Sequence, residues 1–147
     1  MIDSINKVIQ RHLAQLKKEV SAYNRESDLW VSQGEIANPA GNLCLHLCGN
    51  LQHFIGAVLG NTGYIRQREH EFAARNVPVA ELLQAIDDTM TAVANTLNNL
   101  EQSRLAEDYP LQVFGEPMTT EFFLIHLTSH LGYHLGQINY HRRLLAN

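Results

Sequence analysis

The residues best suited to chemistry in this 147-residue chain are four histidines on its last predicted helix: His126, His130, His134 and His141. An α-helix advances about 100° per residue, so steps of four and seven hold all four within an arc of roughly 80°. Imidazoles four apart are neighbours on a helix surface and can reach one metal ion together. Either His126 with His130 or His130 with His134 meets that requirement. His126 and His134 are about 12 Å apart along the helix axis, too far for all three to share an ion. The remaining ligand must come from another element.

The second predicted helix supplies candidates. Asn38-Pro39 provides an N-cap and a first helical position, and Gly60-Asn61-Thr62-Gly63 provides a stop. Leu43, His46, Asn50, His53 and Ala57 follow the three-four spacing of an inward seam. His46 and His53 are about 10 Å apart by helical rise, so only one of them can join a given site. His46 lies between leucines near the middle of the helix, where an imidazole without a partner is poorly tolerated. It is therefore the better candidate, because a lone inward histidine such as His53 is more often a hydrogen-bonded core residue. Cys44 and Cys48 stand two residues either side of His46, which turns both thiols about 160° away from it. They read as small, reduced packing groups. His126 is expected to orient a ligand or pack at the end of the core, and His12, His70 and His141 to lie at the surface or rim.

Four amphipathic segments must position these residues. Ile2, Ile5, Ile9, Leu13, Leu16, Val20 and Tyr23 mark the first. The third opens at Pro78 and runs to about Leu100, with a seam of Val79, Leu83, Ile86, Met90, Val93, Leu97 and Leu100 that no polar residue interrupts. Between the second and third lies a charged connector, Arg66-Gln-Arg68-Glu69-His70-Glu71-Phe72, with room for one helical turn. A long loop, residues 101–117, precedes the last helix, whose first turn is Thr119, Thr120 and Glu121 and whose end is near Leu145. Trp30, in the irregular link after the first segment, is expected to cap an end of the core. The expectation is one all-α domain over residues 1–147, an antiparallel four-helix bundle with a long connection before the last helix.

Composition narrows the function classes. Hydrophobic residues make up 45% and charged residues 18%, which places the chain among folded proteins. A net charge of -4 gives no electrostatic footprint for nucleic acid. No charged residue occurs from Ile36 to Ile65, a stretch long enough to span a bilayer. Hydrocarbon would penalise its Asn38, Asn42, His46, Asn50, Gln52 and His53, so a buried, site-lining helix is expected and no membrane partner. Two cysteines make no disulfide framework, and the N-terminus has no basic segment followed by an apolar core. A cytoplasmic protein is expected.

His46 in Leu43-Cys-Leu-His46-Leu-Cys-Gly-Asn50, followed far downstream by Ser129-His130-Leu-Gly-Tyr-His134-Leu-Gly-Gln137, resembles the DinB-like superfamily. The likeness covers almost the whole chain and is nearest a bacterial branch whose connector reads much like residues 66–72. The resemblance implies a four-helix bundle, commonly homodimeric, that binds a divalent metal through three histidines. By position these are His46, His130 and His134, with zinc or nickel the first candidates for the ion. Many members carry arginine after the last ligand; this chain has Leu135, which removes that contact for an anionic substrate. Characterised relatives include thiol-dependent transferases and an isomerase. The expected function is a metal-dependent enzyme that activates a low-molecular-weight thiol, or water, for transfer to a small electrophilic substrate. The alternative is a non-catalytic metal-binding bundle acting as a sensor or interaction module. Arg66 and Arg68 are candidate contacts for a substrate carboxylate, against ion pairs with Glu69 or Glu71. No general base is evident, and Tyr133, beside a ligand, is expected to point away.

Overall fold

A computed structural model describes residues 1–146. The helices are α1 (Ile2–Ser21), α2 (Ala40–Leu51), α3 (Val58–Gly60), α4 (Arg68–Ala73), α5 (Val79–Asn99) and α6 (Thr120–Leu145). A π-helical turn, Gln52–Ala57, joins α2 to α3 as one continuous rod. Two short 3-10 turns, Glu26–Trp30 and Gln102–Ala106, lie in the connections. No strand forms among the described residues, and one isolated bridge pairs Asp108 with Thr119. The architecture is an all-α bundle.

Each long helix forms where its apolar spacing meets a suitable boundary. Ile5, Ile9, Leu13, Leu16 and Val20 of α1 are buried at that spacing. The Thr119 hydroxyl accepts a hydrogen bond from the Phe122 amide at 3.1 Å and so caps the start of α6. Asn61 closes α3 in the left-handed region, φ 49°, a conformation that asparagine tolerates better than most residues.

The four rods form a ring in which α1 and α2 each pack on α5 and α6. Asn6 meets Asn98 and Lys17 meets Asp87, so α1 and α5 run antiparallel. His46 beside His130 and Phe54 beside Phe123 show the same for α2 and α6. The other two edges are parallel: Glu19 bonds Asn139 and Arg142 across α1 and α6, and Gln52 meets Thr89 across α2 and α5. The antiparallel expectation thus holds for two of the four edges. Parallel neighbours need a connection that returns the length of the bundle, and residues 61–78, containing α4, provide it.

Three expectations are corrected by this packing. First, Leu43, His46 and Asn50 are buried, but His53 and Ala57 leave the seam and Ile55 and Leu59 replace them. The π turn, which contains His53, Ile55 and Ala57, accommodates an extra residue and rotates the seam within and after it. It also frees the Phe54 carbonyl, which accepts the Tyr109 hydroxyl at 2.6 Å. Second, the seam of α5 does contain polar residues. Leu82, Thr89 and Thr96 are buried with Ile86, Val93 and Leu97, while Leu83 and Met90 are only partly covered. Because α5 lies between α1 and α2, its buried arc is wider than one apolar stripe. The Thr89 hydroxyl is satisfied by the Ala85 carbonyl at 2.7 Å. Third, His141 is buried rather than at the rim. Its Nε2–H donates to the Val31 carbonyl at 2.8 Å, and its Nδ1 accepts the Tyr23 hydroxyl at 2.6 Å. The link after α1 folds over the last turns of α6 and encloses it.

Trp30 does cover an end of the core. Its ring lies against Gly41, where an added Cβ would come within 2.6 Å of it. The stretch Ala40–Gly60 is long and apolar enough to cross a membrane, and 61% of that window is buried inside the bundle.

Candidate metal centre

His46 faces α6 from the middle of α2, and His130 and His134 face back from one edge of α6. The Nε2 atoms of His46 and His130 are 3.2 Å apart, and those of His130 and His134 are 3.1 Å apart. The three rings are mutually steep, at 76°, 88° and 85°, so each aims one nitrogen at a common point. One ligand atom from each residue lies within 4.8 Å of the other two.

The outer nitrogens determine which protons those inner nitrogens carry. His46 Nδ1 lies 3.2 Å from Glu71 Oε1, and a carboxylate only accepts, so Nδ1 bears the hydrogen and Nε2 is bare. Arg66 also approaches His46 Nδ1 at 3.3 Å, but its own protons are directed to Glu71 Oε1 at 3.0 Å and Oε2 at 2.9 Å. His134 Nδ1 donates to Gln137 Oε1 at 2.7 Å, which leaves its Nε2 bare as well. His130 Nε2 sits between these two lone pairs. A proton there satisfies one neighbour and leaves the other facing it unmatched. A proton on His130 Nδ1 instead brings three lone pairs together and leaves a buried N–H without a partner. A shared cation satisfies all three inner nitrogens. The spacing suits one: bonds of about 2.0–2.1 Å separate neighbouring ligands by roughly 2.9 Å in octahedral and 3.3 Å in tetrahedral coordination.

The carboxylate behind His46 is built in. Glu71 is 4% exposed, and Arg66 grips both of its oxygens. Burial works to raise the Glu71 pKa, but hydrogen bonds from His46 and Arg66 and the nearby arginine charge hold it below the ordinary carboxylate value. The helix that carries it, α4, docks on α2 through fully buried Asn42, whose amide donates to the Glu71 and Ala74 carbonyls at 3.0 and 2.9 Å. Gly49 completes the fit, since a Cβ there would lie 1.9 Å from Glu71 Oε2. Phe72 covers the His46 ring at 4.9 Å.

Burial and neighbouring charge favour the neutral forms of His130 and His134. Burial pushes the His130 pKa down to about 4, helped by His134, His46, His126 and Arg66. Burial also lowers His134, although its bond to Gln137 opposes the shift. The unfolded chain binds these protons more readily than the folded one. Stability of the metal-free protein is therefore full above about pH 6.5 and falls as pH drops through about 4, below which His130 is protonated in both states. Urea midpoints measured across that window should decline with acidification. A flat profile would contradict the lowered His130 pKa.

The remaining candidates lie outside the converging trio. His126 is wedged between Phe114 at 4.9 Å and Phe123 at 5.8 Å, with its ring 6.2 Å from that of His130. His53 meets its neighbour Phe54 edge to face, and burial followed by the Arg66 charge lowers its pKa. Arg66 makes the ion pair with Glu71, whereas Arg68 is exposed and lies over Phe72 at 5.2 Å. Cys44 and Cys48 are free and buried. Tyr133 is exposed, but rather than pointing away its ring lies 5.2 Å from that of His134. Sequence reasoning missed the roles of Glu71, Gly49 and Gln137. The block after His134 does contain Gln137 three residues on, a spacing that returns to the same helix face.

A family model described as a protein of unknown function (DUF1572) matches residues 1–147. The chain belongs to that family. The match spans all four rods and every residue of the site. No curated protein matches the chain, and no solved structure matches it.

Proposed function

We propose that His46, His130 and His134 hold one divalent ion, zinc or nickel, in an enzyme that transfers a low-molecular-weight thiol, or water, to a small electrophile. The observation that carries this reading is the meeting of three imidazole Nε2 atoms whose outer partners leave at least two of them bare. Three neutral protein ligands with coordination positions to spare are the arrangement of catalytic rather than structural zinc. His46, His130 and His134 would hold the ion, which would supply the lowered pKa that makes a bound thiol or water an anionic nucleophile.

The protein's own residues prepare that chemistry. Glu71 and Gln137 fix the ring orientation and tautomer of His46 and His134, as outer partners of metal-binding histidines do. Phe72 shields the His46 ring from water on one side. The DinB-like resemblance of the His46 and His130/His134 blocks supports thiol chemistry in particular.

Conjugation of monochlorobimane, in which the thiol sulfur displaces chloride and the thiol proton passes to buffer, tests turnover. With a panel of cellular thiols, at least one is expected to give conjugation that stops on chelation and returns with added ion. Full occupancy of the site with no turnover by any thiol or by water would favour a non-catalytic binding module.

A further inference from the structure

Beside the trio, α6, Leu43 and the segment before α2 line an open cavity of about 480 Å³. This is within the size range of small-molecule sites, roughly 300–1,000 Å³. The outer side of the His134 ring forms part of its wall, and Gln137, which bonds that ring, stands next to it. Leu43, Ile36 and Leu144 give it apolar surface, and Tyr133 and Tyr140 give it two aromatic rings.

The charge of this wall is informative. No lysine or arginine lines the cavity, and its one formal charge is the Glu35 carboxylate. The two nitrogens of His141 are engaged by Tyr23 and Val31. The nearest cation to the trio, Arg66, pairs through Nε and Nη2 with Glu71 and lies outside the lining. Arg143 lies over the Tyr140 ring at 5.3 Å, outside the lining. The residue after His134, Leu135, is apolar and buried. An anionic ligand finds no counter-charge here and meets a carboxylate, whereas aromatic faces, amides and a carboxylate suit an uncharged or cationic one.

We infer that this cavity is the recognition pocket for the organic body of the substrate, and that it accepts uncharged or cationic aromatic molecules in preference to anionic ones. Its designation as a substrate pocket rests on the metal-centre reading above; its charge preference does not. Three probes with one ring system separate the cases: 2-naphthylmethanol, 2-naphthylmethylammonium and 2-naphthoate. Equilibrium dialysis against the metal-stripped full chain keeps the carboxylate from binding an ion directly. The alcohol and the ammonium ion should bind, each at least about tenfold more tightly than the carboxylate. Tyr140 and Leu144 are 65% and 70% exposed, so Tyr140→Ala and Leu144→Ala leave the core intact, and together they should weaken both favoured probes at least fivefold or so. Equal or tighter binding of 2-naphthoate, no binding of any probe, or indifference to both substitutions would overturn the inference. Metal content is measured on the same preparation before stripping. Probe binding without native metal would refute the metal reading alone, and metal without probe binding would refute the pocket alone.

Discussion

Replacing His130 by alanine is expected to eliminate bound divalent metal, from about one ion per chain to a trace, while His53→Ala retains the full complement. His130 is the residue whose Nε2 lies within 3.2 Å of both partners, so its loss leaves His46 and His134 facing each other across an empty position. The effect should exceed the roughly 10–100-fold loss of affinity typical of changes to residues that only support a ligand. His53 lies within the π turn, edge-on to Phe54, and contributes no atom to the trio. Elemental analysis of protein purified without an affinity tag reads both outcomes. Retention of metal by the His130 variant, or its loss from the His53 variant, would contradict the assignment.

Substitution at Gly49 and Glu71 should weaken metal binding without touching a ligand. Gly49→Ala places a methyl group 1.9 Å from where Glu71 Oε2 stands, and the α2 backbone cannot yield, so the carboxylate must move. His46 then loses the acceptor that holds its Nδ1 proton and its ring plane. Glu71→Gln leaves an acceptor but removes the charge that Arg66 grips, stranding a cation whose side chain is 12% exposed. Breaking one partner of such a buried pair typically costs about 3–5 kcal/mol of stability. Both variants should show metal affinity lowered by about 10–100-fold in competition with a chelating indicator, with the Gln variant also melting at lower temperature. Unchanged affinity in both would reduce Glu71 and Arg66 to a structural ion pair.

Much of this arrangement could be read from residue order, and the reasons for the misses are specific. The spacing of Ile5, Ile9, Leu13 and Leu16 and the Asn61 stop are local signals that the helices follow, whereas α2 starts one residue later than Asn38-Pro39 suggests, with Pro39 at its N-cap. His130 and His134 four apart, with His46 on an uncharged helix, are equally local, and the trio that converges is the one the family resemblance implied. Glu71 was not legible because it sits among Arg66, Arg68, Glu69 and His70, any of which reads as solvated. Only the docking of α4 through Asn42 and the space over Gly49 select it. The π turn has no distinctive composition, so a regular helical period carried His53 inward where the structure does not. Thr89 and Thr96 were passed over because apolar periodicity favours Leu83 and Met90, yet burial on α5 is set by two neighbouring helices at once. His141 needed a partner, the Tyr23 hydroxyl, more than a hundred residues away in sequence.

X-ray absorption at the edge of the native ion gives the most direct view of whether the three imidazoles hold one metal. Three histidine nitrogens are predicted in the first shell, at about 2.0–2.1 Å if the ion is zinc, with the multiple scattering that imidazole rings produce and no sulfur. A shell containing sulfur from Cys44 or Cys48, or one without imidazole scattering, would contradict a centre built on His46, His130 and His134.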